Sequence, residues 1–220
     1  SNWIKITDNN FKLIPRYFWN WDIESSNVIK SWSKKLKKTN SIVGGNVWVD
    51  YWKIQSKNFK YKNYILYTLQ YLSLNILFSD EIINLIKKSN YLWMLRLHPR
   101  QLNEKKNIIK FLIKNNIIDK VNVEDATNLP LPLLMKNCLL NITHYSGTVN
   151  EAVLMNKKSI ILDKLGVSIF KEFIIQEKAI YKSIKNISNE FINKIIFENK
   201  DHTTSNNKNF SYYKKYFNKS

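Results

Sequence analysis

The sequence predicts an α/β fold in which a parallel sheet is flanked by helices. Three observations point there. From Asn63 onward, short β-branched and apolar runs alternate with segments whose apolar residues recur at helical spacing. The main run, Tyr91 to Leu97, is apolar almost throughout, as expected of a strand covered on both faces. Strict alternation of strand and helix at this length means helical crossovers, and crossovers make the strands parallel.

The elements run in this order along the chain. Tyr64 to Leu69 reads as a strand. Asp80 to Lys88 reads as a helix with Ile82, Ile83, Leu85 and Ile86 inward. Tyr91 to Leu97 is the next strand. Glu104 to Lys114 reads as a helix with Ile108, Ile109, Leu112 and Ile113 inward. Val121 to Val123 is a short strand, and Asn122 to Pro132 links it to the next helix. That helix, Leu131 to Asn137, is short and has Pro130 and Pro132 near its start, where a missing N–H is tolerated. Cys138 to Ile142 and Ser159 to Leu162 read as strands. Val149 to Met155 and Val167 to Ile175 read as helices. A last strand and helix fall at Ala179 to Tyr181 and Ser188 to Phe197. There is no internal repeat.

Residues 1 to about 55 differ from this pattern. They carry Trp3, Trp19, Trp21, Trp32, Trp48 and Trp52. Ser25 to Leu36 is amphipathic, with Val28, Ile29, Trp32 and Leu36 at helical spacing. A basic stretch then leads into a short strand, Ser41 to Val43, and into Gly44-Gly45-Asn46. At the other end, residues 199–220 form a polar Asn/Lys-rich tail that includes Phe210, Tyr212 and Tyr216.

Composition narrows the function classes. The chain has 220 residues, 44% hydrophobic and 14% aromatic, enough for one good core with extra arms. No apolar run approaches the ~18–20 residues needed to span a bilayer. Ser1 to Lys5 lacks the basic-then-apolar pattern of a leader, so a cytoplasmic location is expected. Cys138 is the one cysteine, which excludes an intrachain disulfide and a CxxC metal site. The net charge of +18 suggests anionic partners. Only Arg16, Arg96 and Arg100 are arginines, however, and arginine is the better reader of phosphates and bases. Nucleic acid is therefore a disfavoured partner. Lysine-driven binding to nucleic acid or to an anionic membrane stands as an alternative, as does a non-catalytic nucleotide-binding domain.

Four glycines and four prolines are few enough for each to inform. Pro99, Pro130, Pro132, Gly147 and Gly166 all fall at or near predicted strand ends on one side of the sheet. At the first such end, Leu97-His98-Pro99-Arg100, the proline keeps His98 out of the α region. His98 can donate to a phosphate or a ribose oxygen, and Arg100 can neutralise a phosphate. The competing reading is a histidine that caps its own turn. At the second, Thr143-His144-Tyr145-Ser146-Gly147-Thr148 leads from a strand into a helix whose free N–H groups form an anion site. Gly147 lets a ligand approach the backbone, while Thr143, Ser146 and Thr148 add hydroxyls. Glu151 can accept from ribose hydroxyls. The competing reading is a capping box, Thr148 with Glu151. The third segment, Asn122 to Pro132, offers backbone to frame a nucleobase, or is an ordinary loop.

A strand ending in His-Pro, a later Leu-Pro segment and a Ser-Gly-Thr turn with Glu three residues on together resemble the C-terminal, donor-binding half of GT-B glycosyltransferases. Closest are the enzymes of bacterial capsule and surface polysaccharide, among them sialyltransferases and Kdo transferases with "HP" and "S-S/T" motifs and teichoic-acid transferases with "HPR". Ile42 to Asp50 also resembles the "G-x-P-x-x-D" segment that precedes the donor domain, without its proline. The likeness spans residues 40 to 185. It implies a Rossmann-like domain over residues 56–198, with residues 1–55 as the end of an acceptor-side domain and linker. It implies a nucleotide-sugar donor, CMP-linked sugars included, and a glycan or lipid-linked glycan acceptor in capsule or lipopolysaccharide synthesis. Peripheral association with the inner membrane goes with that role. No cofactor is expected beyond the donor, and no metal, since there is no Asp-x-Asp. In such enzymes the catalytic base usually lies in the other half; Asp22 and Glu24 are the only carboxylates nominated as stand-ins, and a solvated helix start explains them better.

Overall fold

In the computed structural model the described residues are 15–33, 39–55 and 59–201. The chain divides into two compact units, with the boundary between Tyr51 and Trp52.

The first unit is a βαβ crossover: β1 (Tyr17–Asn20), α1 (Ile23–Ser33) and β2 (Asn40–Val43). The strands pair in parallel, Tyr17 opposite Asn40 and Asn20 opposite Val43. β1 is absent from the sequence reading, because its alternation is carried by aromatics that stay exposed, Tyr17 and Trp19. α1 starts two residues before the expected helix because Asp22 Oδ1 accepts from Ser25 N at 2.6 Å and caps it. Its inward residues are Ser26 and Ser33, while Val28 is 61% exposed. Of the residues at helical spacing, Val28 points outward and Ile29 is half-buried, while Ser26 Oγ lies 2.7 Å from Ser41 Oγ of β2, a polar seam between helix and strand. Leu36 and the Trp32 side chain lie outside the described residues, as do Trp3 and the aromatic tail. Trp19 Nε1 donates to Gly45 O at 2.7 Å, and its ring covers Gly44 so closely that a Cβ there would meet Trp19 Cζ2 at 2.0 Å. A second helix, α2 (Val47–Ile54), comes at once, with Asn46 Oδ1 accepting from Val49 N at 3.1 Å as its cap.

The second unit holds the sheet. Its strands are β3 (Tyr64–Thr68), β4 (Leu92–Arg96), β5 (Val121–Asn122), β6 (Leu140–Thr143), β7 (Ser159–Ile161) and β8 (Ala179–Tyr181). All pair in parallel, in the order β5-β4-β3-β6-β7-β8. This is the doubly wound Rossmann order, whose winding reverses between β3 and β6. Every residue of β3 and β6 is buried, as expected of central parallel strands.

The helices are α3 (Leu74–Leu77), α4 (Asp80–Lys87), α5 (Lys105–Lys114), α6 (Glu124–Asn128), α7 (Leu131–Asn137), α8 (Thr148–Leu154), α9 (Lys164–Ile169), α10 (Lys171–Ile175) and α11 (Asn189–Asp201). One sheet face presents Ile65, Tyr67, Trp93, Leu95, Leu140, Ile142 and Ile160, packed in one core with α4, α5 and α11. Among α4 residues, all four expected inward positions are buried. The other face carries a buried polar ladder under α8. Thr68 Oγ1 donates to Asn141 Oδ1 at 3.2 Å, and Asn141 Nδ2 donates to Ser159 Oγ at 2.9 Å. No helix among the described residues is long and apolar enough to cross a membrane.

Four expectations change. Pro99–Glu104 forms a 3-10 turn before α5, and of its expected inward residues only Ile108 and Leu112 are buried, with Ile113 53% exposed. The segment after β5 is the helix α6, not a loop, capped by Asn122 Oδ1 accepting from Asp125 N at 2.9 Å. The single helix expected over 167–175 is split into α9 and α10, because Phe170 breaks the ladder with ψ near 27°. Gly166, expected near the end of the preceding strand, belongs to α9, where a Cβ would meet Ile161 Cγ2 at 2.4 Å, so it serves close helix–strand packing.

Candidate functional site

Ligands of doubly wound sheets bind beyond the carboxyl ends of the strands at the point of reversal. Here that point is the gap between Thr68 of β3 and Thr143 of β6. His98-Pro99-Arg100 leaves β4 on the same edge, and Tyr145 to Thr148 leaves β6. The fold therefore brings the two predicted motifs to one sheet edge, within the second unit.

Several of the predicted side chains are engaged by the fold. Thr143 is buried; its hydroxyl donates to Thr68 O at 2.8 Å and accepts from Ser146 N at 3.3 Å. Thr148 Oγ1 lies 2.8 Å from Thr68 Oγ1, a contact 80 residues apart in sequence. Ser146 Oγ accepts from Thr148 N at 3.3 Å. The capping box of Thr148 with Glu151 does not form, because Thr148 is already inside α8, where Gly147 holds the cap position, and its N–H is taken by Ser146 Oγ. The amides of Val149 and Asn150 are turned back on Ser146 O and Gly147 O. The helix start is thus not an open row of N–H groups. Among the described residues the Gly147 N–H has no acceptor.

His98 is half-buried and caps its own turn: Nδ1 accepts from Arg100 N at 3.2 Å, and His98 N donates to Gln101 Oε1 at 3.3 Å. An accepting Nδ1 in the neutral ring puts the proton on Nε2, so a donor remains beside Tyr71, whose ring centroid is 6.2 Å away. Arg100 is exposed, and its guanidinium makes no ion pair among the described residues. Gly147 is exposed with φ −56°, and a Cβ there would meet nothing nearer than Asn150 Nδ2 at 4.0 Å. Nothing in the fold requires glycine at that position.

Glu151 differs from its neighbours in the motif. Its Oε2 is buried and has no hydrogen-bond partner. Burial raises its pKa, and a hydrogen bond from its own backbone N–H and, after it, the Arg96 charge oppose the rise. An acceptor left unpaired in the interior is costly, so it marks a place where a donor belongs.

Two residues go unrecognised at the sequence level. Thr68 joins β3, β6 and α8 through its hydroxyl. Arg96 Nη1 donates to Ala126 O at 2.8 Å and Leu129 O at 2.7 Å, bracing α6 and the turn after it. Its signal is present in the sequence: a charge inside an otherwise apolar strand needs partners. Asp22 is the cap of α1, and nothing is described of the Glu24 side chain. No cluster of three or more His, Cys, Asp or Glu side chains occurs among the described residues.

No protein-family model and no curated protein matches the chain. Solved structures do. UDP-GlcNAc 2-epimerase from Neisseria meningitidis, bound to UDP-GlcNAc, aligns with a TM-score of 0.54 at 21% identity over 83% of this chain and 53% of that one. The Methanocaldococcus jannaschii UDP-GlcNAc 2-epimerase in complex with UDP-GlcNAc and UDP gives 0.53 at 18%, over 83% and 54%. The wall teichoic acid polymerase TagF gives 0.48 at 13%, over 84% and 51%. The fold is Rossmann-like, of the GT-B type. The chain spans about half the length of these structures.

Proposed function

We propose that the carboxyl edge of the sheet at the β3/β6 reversal binds the nucleotide of a sugar donor, and that the chain is the donor-binding part of a surface-polysaccharide glycosyltransferase. The unpartnered buried Oε2 of Glu151 carries this reading. A ribose hydroxyl is a neutral donor of the right kind for it. The His98 Nε2–H, Arg100 and the Gly147 N–H stand along the same edge and suit a phosphate. Thr143, Ser146 and Thr148 hold the turn in shape. As the donor bond breaks, negative charge grows on the leaving phosphate, and fixed donors aimed at that oxygen lower the barrier. No residue of this edge is assigned as the base for the acceptor, so binding is the first readout and turnover the second.

A second reading rests on the two epimerases, whose bound UDP-GlcNAc makes rearrangement of the sugar the alternative to its transfer. Melting curves with CMP, CDP, UDP, GDP and ADP test the shared part. A binder raises the melting temperature in proportion to ln(1 + [L]/Kd). At least one nucleotide is expected to do so. If none does, while heparin or anionic vesicles stabilise the chain in a salt-sensitive way, the lysine-driven alternative replaces this one. Proton NMR of UDP-GlcNAc with the protein then separates the rest: release of free sugar supports transfer, and appearance of the C2 epimer supports rearrangement.

A further inference from the structure

The geometry points to Arg96 as a positioning residue that sets two walls of the site at once, the α6 turn through its hydrogen bonds and Glu151 through its charge. This rests on the nucleotide reading above. Arg96 ends β4 directly opposite Thr68 of β3. Laterally paired residues of adjacent strands share a sheet face. Thr68 touches Thr148, and Glu151 lies one turn further along the same helix face. Glu151 therefore stands over the place where the Arg96 side chain emerges.

The guanidinium is fixed in place. Both hydrogens of Nη1 are committed to carbonyls, those of Ala126 and Leu129. The same turn is tied to β4 by Leu97 N donating to Thr127 Oγ1 at 3.3 Å. Arg96 and Glu151 act on each other electrostatically, yet no salt bridge joins them. That stand-off matters. A contact ion pair would occupy the carboxylate oxygens. A charge held nearby by other bonds limits the rise that burial gives the Glu151 pKa and leaves Oε2 free for a ligand. Among the described residues, Arg96 is the charge that acts on Glu151.

The consequence is a pH profile. An ionised Glu151 is the stronger acceptor for a hydroxyl, so affinity falls as pH drops through its titration. Calorimetric titration of UDP, or of the nucleotide that stabilises most, from pH 5.5 to 8 tests this on the whole chain. In Arg96→Met the fall is expected to begin at a higher pH than in the wild type, with affinity at neutral pH about tenfold weaker. Glu151→Gln is expected to bind weakly with a flat profile. A merely structural role for Arg96 would lower affinity equally at every pH. Arg96→Met with an unmoved midpoint, or Glu151→Gln with the wild-type pH dependence, would overturn the assignment while leaving nucleotide binding intact. If Arg96→Met gives no cooperative melt, Arg96→Lys replaces it: it keeps the charge but not the fork, so the wild-type midpoint with reduced affinity is expected, and a midpoint moved upward overturns the proposal. A wild type that binds no nucleotide at any pH overturns the nucleotide reading, and this one with it.

Discussion

β4 and β6 are each followed by a histidine at the same sheet edge, and the two rings do opposite work. His144 is buried; its Nε2 lies 3.0 Å from Tyr67 Oη. Tyr67 gives its one hydroxyl proton to Leu77 O at 2.7 Å, so His144 must be the donor to it. His98 instead accepts at Nδ1 from its own turn and keeps Nε2–H directed away from that bond. One ring completes the sheet's interior, and the other keeps a donor that the fold does not use. The hydroxyls of the second motif divide in the same way from Glu151. At such an edge, what a ligand can meet is the set of groups the fold leaves over. Residue type alone does not say which those are.

The largest effect that tests this contrast is acid unfolding. Burial lowers the His144 pKa to about 4, against a partly offsetting Asp163. In the unfolded chain the ring titrates near its ordinary value of 6.5. The neutral buried ring therefore contributes stability that is fully present above that value. It is lost as pH falls through about 4, because the unfolded state takes up the proton first. The loss is on the order of 3 kcal/mol, and urea melts at several pH values measure it. His144→Gln should remove most of the slope between pH 6.5 and 4. Equal slopes in the wild type and His144→Gln would place the titrating group elsewhere.

The second effect is on affinity. His98→Ala removes the leftover donor, and nucleotide binding should weaken roughly thirtyfold, the usual size for a hydrogen bond to a charged group. Its stability cost should be about 1 kcal/mol, the loss of one cap. Calorimetry and a urea melt on the same sample separate the two. A stability loss with unchanged affinity would make His98 a cap and nothing more.

The sheet is legible in the sequence because its signal is local and strong. Apolar runs with few glycines and prolines read directly as parallel strands, and Leu131–Asn137 and Ala179–Tyr181 end where composition places them. β1 and α6 are not. β1 leaves its aromatics exposed, and α6 is only five residues long, although Asn122 before Glu124 and Asp125 is an N-terminal signal. The site is legible as a place but not as a set of roles. Whether the Thr148 hydroxyl is free depends on Thr68, and how far burial raises the Glu151 pKa depends in part on Arg96. Both partners lie on strands far off in sequence, and only the sheet order brings them together.

The finest test uses the one motif residue that the fold does not need. Gly147 has a helical φ, and a methyl group there would meet open space apart from Asn150 Nδ2 at 4.0 Å. Gly147→Ala should therefore change stability by no more than about 0.5 kcal/mol, and in the stabilising direction, since alanine loses less backbone freedom on folding. Affinity is the discriminating readout. If the Gly147 N–H meets a phosphate, the methyl stands in the approach path, and binding should weaken about tenfold. Gly166→Ala is the matched control. There the new carbon would meet Ile161 Cγ2 at 2.4 Å, so the cost should fall on stability first. Two glycines beside one turn then give opposite signatures, one on the ligand and one on the fold. Gly147→Ala with unchanged affinity would remove this backbone from the site and leave Glu151 and His98 to account for it.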